Sequence, residues 1–200
     1  MRLRLLFISI VLVLAAIPVI AQTGGETGAQ ALPPPVQWQG FDTALERAQS
    51  EDKHIMVTVY TDVCGYCKKL DRVTFTDPAV REVLDDAYVS AKVKADSGKR
   101  LKVQSQVVEN GGRKLLQYHI ADEPTLSGSD LRSQWMLRGV PGIIFLNPEG
   151  KVITIVNGYK NPADMHNMLT FVKDDLYEVM TWQDYLKSLE VAKDQNREKS

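Results

Sequence analysis

Two cysteines, Cys64 and Cys67, are the residues of this 200-residue chain whose chemistry is most distinctive. They follow an apolar, β-branched run from His54 to Tyr60 that predicts a buried strand, and the apolar residues after them recur at helical spacing. The pair is therefore expected where a strand leads into a helix, with Cys64 at the helix N-terminus. The unpaired N–H groups and the positive end of the helix dipole favour a thiolate at that position.

This placement predicts different roles for the two sulfurs. Cys64 should be the more acidic thiol and the attacking nucleophile, because the helix N-terminus stabilises its charged form. Cys67 lies one helical turn further on and should be better buried, so that it can resolve the mixed disulfide that Cys64 forms with a substrate. Gly65 and Tyr66 form the active-site loop between the two cysteines. Cys64 and Cys67 together would make a redox-active disulfide.

Three other interpretations of the cysteine pair remain open. A purely structural disulfide would close only a four-residue segment and would remove little chain entropy. A zinc site would need two further ligands, and His54, His119 and His166 do not have the spacing of metal ligands. Two inert core thiols would fit poorly with a Gly-Tyr spacer at a helix start, which is expected to expose the first sulfur. We expect no metal and no cofactor.

Two separated motifs resemble those of the thioredoxin superfamily. Cys64-Gly65-Tyr66-Cys67 after an apolar strand resembles the active-site motif, and the segment from Gly139 to Lys151 (GVPGIIFLNPEGK) resembles the second signature of that family. The resemblance implies that Pro141 is a cis proline lying against the two sulfurs. It also implies that Val140, the residue before it, binds substrate. The similarity covers about Phe41 to Glu190.

The resemblance implies an α/β thioredoxin fold, in which a central mixed sheet has helices on both faces. Smaller similarities, among them Asn157 to Pro162 (NGYKNP), indicate exported thioredoxin-like proteins of the SoxW type and, more loosely, the periplasmic reductase domains of the DsbD system. One position departs from the family, because its buried acid, six residues before the first cysteine, is replaced here by Thr58. A threonine cannot act as a base for the second cysteine, so Asp62 or a water molecule is the candidate.

The order of segments along the chain predicts an exported domain. Residues 1–21 combine a short basic start with an apolar stretch, which is typical of a signal peptide cleaved after Ala21. The alternative is an uncleaved membrane anchor, since the apolar stretch is at the short limit for a span. Residues 22–36 predict a Pro/Gly-rich linker, residues 37–192 the thioredoxin-like domain, and residues 193–200 a frayed polar tail.

Within the domain, residues 97–128 are an insertion relative to a minimal thioredoxin. Apolar runs on either side of Asn110-Gly111 predict a β-hairpin, which we expect to be a surface elaboration without a role in the chemistry. A helix from Asp130 to Arg138, capped by Ser129, should follow, with Trp135 and Met136 turned toward the core. An extra helix is expected at the C-terminal end of the domain.

Charge and composition limit the possible functions. Removal of residues 1–21 with their two arginines leaves 22 cations against 25 carboxylates, so the mature chain has no basic field for nucleic acid. We expect a periplasmic or otherwise exported thiol-disulfide oxidoreductase that reduces oxidised protein thiols and is recharged by a membrane electron donor of the DsbD or CcdA kind. The alternatives are a disulfide oxidase or isomerase, and a non-catalytic binding module whose disulfide only switches its shape.

Overall fold

The computed structural model of the protein describes residues 34–198. Its helices are α1 (Phe41–Glu51), α2 (Gly65–Lys69), α3 (Pro78–Ala87), α4 (Gly128–Gln134), α5 (Pro162–Lys173) and α6 (Trp182–Glu198). Its strands are β1 (His54–Tyr60), β2 (Tyr88–Lys94), β3 (Arg100–Leu101), β4 (Val103–Asn110), β5 (Arg113–Ile120), β6 (Leu126–Ser127), β7 (Gly142–Leu146) and β8 (Val152–Asn157). A π-helical turn, Leu70–Thr74, continues α2, and a 3-10 turn, Leu176–Glu178, precedes α6.

Four strands form the central sheet in the order β2-β1-β7-β8. β1 and β2 are parallel because α2 and α3 form a helical crossover between them, whereas β1 pairs antiparallel with β7 and β7 pairs antiparallel with β8. Side chains of β1 alternate between two apolar clusters: Val57 and Val59 pack with α1 and α4, and Met56 packs with α3 and α5. The sheet is therefore mixed and covered by helices on both faces.

The strand register determines which segments meet at one end of this sheet. Val59 of β1 is paired with Gly142 of β7, and Gly142 is paired with Asn157 of β8. Cys64 follows β1 and Pro141 precedes β7, so both lie at this end, together with the loop that begins after Asn157. The three segments of the predicted site are therefore brought together by sheet pairing.

Strands β4 and β5 form the hairpin that was predicted within residues 97–128. The two residues at its turn are Gly111 and Gly112, with φ of 57° and 75°, and this two-residue turn with both φ values positive is of the kind favoured in hairpins. Tyr118 fixes the hairpin to the core, because its ring packs edge-to-face against Phe41 and Trp135 at centroid distances of 5.4 and 5.8 Å. The insertion therefore contributes a buried aromatic ring to the domain as well as surface.

The start of α4 differs from the sequence prediction. Ser127 rather than Ser129 caps the helix: its hydroxyl accepts a hydrogen bond from the Asp130 N–H at 3.2 Å, and the Asp130 carboxylate accepts one from the Ser127 N–H at 2.8 Å. This reciprocal capping box places Ser129 inside the first turn. The helix also ends earlier than predicted, at Gln134.

The end of the predicted linker belongs to the folded domain. Of residues 22–36, the structure describes residues 34–36. The Pro34 carbonyl accepts a hydrogen bond from the buried guanidinium of Arg81, and Val36 is buried against the core. These contacts hold the chain against the domain before α1 begins.

The C-terminal end also differs from the prediction, because α6 continues to Glu198 and makes residues 193–198 of the predicted frayed tail helical. Between residues 34 and 198, no helix has the length and apolarity needed to span a membrane. The predicted signal peptide, residues 1–21, lies outside the described residues.

His54 begins β1 at the end of the sheet opposite the cysteines. Its ring is mostly buried beside Tyr88, and its Nε2 lies 3.3 Å from Asp175 Oδ1. Burial lowers the pKa of His54 below its usual value of 6.5, although the nearby Asp175 carboxylate opposes that shift. The folded protein therefore takes up a proton at this site less readily than the unfolded chain does.

We expect the free energy of unfolding to decrease as the pH falls from above 6.5 toward the lowered pKa of His54, because only the unfolded chain is then protonated there. The stabilisation should be complete above pH 6.5. Urea denaturation at a series of pH values should show a weaker acid sensitivity for His54→Gln than for the wild-type protein or a His166→Gln control. An unchanged acid sensitivity in His54→Gln would contradict this assignment.

Candidate active site

Cys64 and Cys67 form a disulfide at the start of α2. Cys64 is the N-cap of that helix, and its sulfur accepts a hydrogen bond from the Cys67 N–H at 3.0 Å. In the reduced protein the same N–H would face the Cys64 thiolate, together with the positive end of the helix. The strand, the helix and the N-terminal position of Cys64 are all as the sequence predicted.

Both sulfurs are more shielded than the sequence suggested. Cys64 is 9% exposed and Cys67 is 5% exposed, so the expected difference in accessibility is small. The exposed surface at this point belongs instead to Val63 and Tyr66, which are 90% and 63% exposed. Val63 and Tyr66 therefore provide the exposed surface next to Cys64 in the sequence.

The Val140-Pro141 peptide bond is cis, and Pro141 is buried where the chain enters β7. The Pro141 carbonyl accepts a hydrogen bond from the Gly158 N–H at 2.8 Å. Within residues 34–198 no backbone hydrogen bond involves Val140, which is half-buried. The N–H and carbonyl of Val140 are therefore left without a backbone partner in this part of the chain.

The segment from Gly158 to Lys160 connects the cis-proline segment, Val140-Pro141, to the active-site helix, which is α2 together with its π-helical continuation to Thr74. Besides the bond from Gly158 to Pro141, the Lys160 carbonyl accepts a hydrogen bond from the buried Thr74 hydroxyl at 2.7 Å. Gly158 has a φ of +81°, a conformation that is costly for a residue with a Cβ atom. These two hydrogen bonds attach both halves of the site to one loop.

Tyr159 of this segment contributes its ring to the site. The ring lies 6.1 Å from that of Tyr66 between centroids, and the Lys69 ammonium lies 4.6 Å from the Tyr159 centroid in a cation–π contact. The exposed Tyr66 ring therefore packs beside the Tyr159 ring. Tyr159 was not predicted as a site residue, because its partner is 93 positions away in the chain.

The position of the missing family acid is filled by a buried threonine. Thr58 is 2% exposed, and its hydroxyl has no hydrogen-bond partner among the described residues. Asp62, the candidate from the sequence, is exposed and forms an ion pair with Lys94. Asp62 is thus held at the surface by another side chain.

A second carboxylate lies on the active-site helix itself. Asp71, four residues after Cys67, accepts two hydrogen bonds from the Lys92 ammonium, at 2.7 and 2.9 Å. Lys92 belongs to β2 and is paired in register with Thr58 of β1. The Asp71–Lys92 pair therefore connects the strand position that lacks an acid with the helix that carries Cys67. The four-residue spacing from Cys67 is the only sequence signal that could have identified Asp71.

Met136 was expected to face the core but is 80% exposed. Its φ is 48°, a left-handed conformation that costs a residue with a side chain on the order of 1 kcal/mol. The neighbouring Trp135 is buried as predicted, and Leu137 packs against Gly142 at the start of β7. The early end of α4 explains the difference, because Met136 lies in the turn that leads to the cis proline.

A family model for a thioredoxin-like domain matches residues 41–173, which is more than half of the chain. The chain belongs to the thioredoxin-like family. The predicted family and the predicted fold class, with its mixed sheet and its helices on both faces, are therefore confirmed. The narrower SoxW-type assignment stays a prediction.

Curated relatives of this thioredoxin-like chain include proteins described as thiol:disulfide interchange protein DsbD. The protein from Photorhabdus laumondii is 25% identical over 134 residues, which cover 66% of this chain and 18% of the relative. The protein from Tatumella citrea is 37% identical over 78 residues, or 38% of this chain and 14% of the relative. The chain thus spans less than a fifth of the length of these relatives.

Solved structures give the same fold. A putative disulphide-isomerase from Bacteroides thetaiotaomicron has a TM-score of 0.52 and 25% identity, covering 76% of this chain and 99% of that one. A thioredoxin from Thermus thermophilus has a TM-score of 0.51 and 21% identity, covering 70% and 88% of the two chains. The thioredoxin-like family and the Cys64–Cys67 pair together support a thiol-disulfide oxidoreductase chemistry for this domain.

We expect Met136→Gly to raise the free energy of unfolding by about 0.5–1 kcal/mol, because glycine adopts a positive φ without the cost that methionine bears. Met136→Ala is the matched control, since it removes the same exposed side chain but keeps the unfavourable φ, and should give no such gain. Urea denaturation of both variants measures the difference. A Met136→Gly variant no more stable than Met136→Ala would show that the backbone is not strained there.

Proposed function

We propose that this protein is an exported reductase of protein disulfides that uses the Cys64/Cys67 dithiol. The observation that carries the proposal is the position of this pair at a helix start, at the same end of the sheet as Val140 and Pro141. The unpaired backbone groups of Val140 give an extended polypeptide a place to add as a strand. A protein disulfide in such a segment would meet Cys64.

The first chemical step is attack by the Cys64 thiolate on one sulfur of the partner disulfide. The partner S–S bond breaks, a mixed disulfide with Cys64 forms, and the second partner sulfur leaves as a thiolate that takes up a proton. The hydrogen bond from the Cys67 N–H to the Cys64 sulfur supports this step, because it favours the charged nucleophile.

The second step releases the partner. Cys67 loses its proton and attacks the Cys64 sulfur, which restores the Cys64–Cys67 disulfide and frees the second partner thiol, so that two electrons have moved to the partner. We propose that the Asp71 carboxylate accepts the proton of Cys67, directly or through water, because it lies one turn further along the same helix. Lys92 holds Asp71 in place.

Thiol-disulfide exchange draws support from the relatives named as thiol:disulfide interchange proteins, and the reductase direction is our proposal. A membrane electron donor of the DsbD or CcdA kind would return two electrons to the disulfide after each turnover. The signal-like residues 1–21 support export, so the protein would work in the periplasm or another extracytoplasmic compartment where disulfides persist.

A disulfide isomerase is the second candidate. The similarity to a putative disulphide-isomerase along 99% of that chain favours it. Equilibration of the dithiol with glutathione separates the two candidates. A thioredoxin-like reductant has a reduction potential of about −270 mV, and an isomerase has one of about −180 mV. A potential near the higher value would replace the reductase proposal with the isomerase.

We expect Cys67→Ser to accumulate covalent mixed disulfides with partner proteins, because Cys64 can still attack while the resolving thiol is absent. The same extracts should give no adducts with Cys64→Ser/Cys67→Ser. The wild-type protein with dithiothreitol should reduce insulin, and neither Cys67→Ser nor Cys64→Ser/Cys67→Ser should do so. Absence of adducts and of insulin reduction would remove the enzymatic proposal and leave the disulfide-switched binding module.

A further inference from the structure

The three segments that form the active site carry an excess of positive charge. Residues 61–74, 136–141 and 157–162 contain five cationic side chains and only two carboxylates. Each of the three segments supplies at least one of these cations, which are Lys68, Lys69, Arg72, Arg138 and Lys160. All but the half-buried Lys160 are exposed.

The two carboxylates of these segments are already neutralised by lysines of β2. Asp62 pairs with Lys94, and Asp71 pairs with Lys92. The five cations themselves have no carboxylate within ion-pair distance among residues 34–198. The surface next to the disulfide therefore keeps a net positive charge that the domain does not compensate locally.

The opposite end of the sheet has the opposite sign. A cavity beside the start of β1 is lined by His54, two lysines and six carboxylates, which belong to Glu51, Asp52, Asp86, Glu149, Asp175 and Glu178. The chain as a whole is close to neutral, with a formal net charge of −1. The charge is thus separated along the sheet, and such a field orients a charged partner before contact.

Apolar side chains lie among the cations at the active-site end. Val63, Tyr66 and Met136 are each more than half exposed, and Met136 keeps its position in spite of an unfavourable φ. Apolar groups surrounded by charged ones are typical of a surface that another protein covers.

We propose that this end of the domain docks an acidic protein partner, whose disulfide lies in a segment that carries Asp or Glu beside an apolar residue. The inference rests on the proposed function and adds the chemical class of its substrate. Partner carboxylates would meet Lys68 and Arg72 on the exposed side of the active-site helix, while the apolar residue contacts Tyr66. The electron transfer is the two-step exchange already described, and the dithiol is its reductant.

Positive charge beside Cys64 also favours the thiolate, and this effect must be separated from docking. A more stable thiolate changes the reaction with every disulfide to the same extent, whatever the charge of the substrate. Docking by complementary charge instead favours an acidic substrate over a basic one, and it weakens as salt screens the surface. The change of this ratio between the wild-type protein and a charge variant therefore reports docking, because the intrinsic reactivity of each peptide disulfide is the same for both proteins.

Two synthetic peptides test the proposal. Each contains one cysteine and a leucine and is used as its symmetrical disulfide; aspartates flank the cysteine in one peptide and lysines in the other. Reduced full-length protein is mixed with each peptide, the reaction is stopped with acid, and the released peptide thiol is quantified. The variants are Lys68→Gln/Arg72→Gln and the control Lys53→Gln/Lys151→Gln, which removes two cations at the opposite end of the sheet. Alkylation of Cys64 by iodoacetamide reports the thiolate of each variant.

We expect the wild-type protein to reduce the acidic peptide about tenfold faster than the basic one at low ionic strength, with the ratio approaching one at high salt. Lys68→Gln/Arg72→Gln should lose most of this preference, and the control should keep it. Equal rates for the two peptides, or a preference unchanged in Lys68→Gln/Arg72→Gln, would overturn the proposal.

Two further results are informative. The protein could instead bind, in a salt-sensitive way, to vesicles of phosphatidylglycerol and phosphatidylcholine in equal parts and show no peptide preference. This result would indicate that the positive surface binds an anionic membrane, and it would also overturn the proposal. Failure of the wild-type protein to reduce either peptide or insulin would remove the reductase function itself. Reduction of both peptides at the same rate would leave that function standing and remove only the acidic partner.

Discussion

Antiparallel pairing of β1 with β7 is the interaction on which the site depends, because it brings Cys64 and Pro141, 77 residues apart in the sequence, to one end of the sheet. The pair Val59–Gly142 fixes this register. A shift by one residue would turn the side chains of a strand to the opposite face, and both faces here are buried under helices. The free energy of core packing therefore also determines the geometry in which the disulfide meets a partner.

Further hydrogen bonds and one ion pair hold together the segments that this register brings to one end of the sheet. Hydrogen bonds from Gly158 to Pro141 and from Thr74 to Lys160 attach the cis-proline segment and the active-site helix to one loop. A buried threonine occupies the strand position of the family acid, and Asp71, which pairs with Lys92 on the active-site helix, is the carboxylate that we propose in its place. The same pairing removes the negative charge of Asp71 from the surface beside the disulfide.

Local patterns in the sequence were sufficient to predict much of the fold. The apolar run of β1 depends on neighbouring residues, and it was predicted at the position where the structure has it. The hairpin was predicted for the same reason. The exposed, left-handed Met136 was missed because it depends on where α4 ends. Tyr159 was missed because its partner belongs to another element. Asp71 has a helical spacing from Cys67, but its pairing with Lys92 joins two elements and no local pattern shows it.

We expect the helix start to make Cys64, and not Cys67, the nucleophile. The most direct test is brief alkylation of the reduced wild-type protein with iodoacetamide at neutral pH, followed by mass spectrometry of the peptides that contain each cysteine. We predict that Cys64 is labelled while Cys67 remains a thiol, because Cys64 is the cap that accepts the helix N–H bond. Labelling of Cys67 first, or of both at the same rate, would contradict the account.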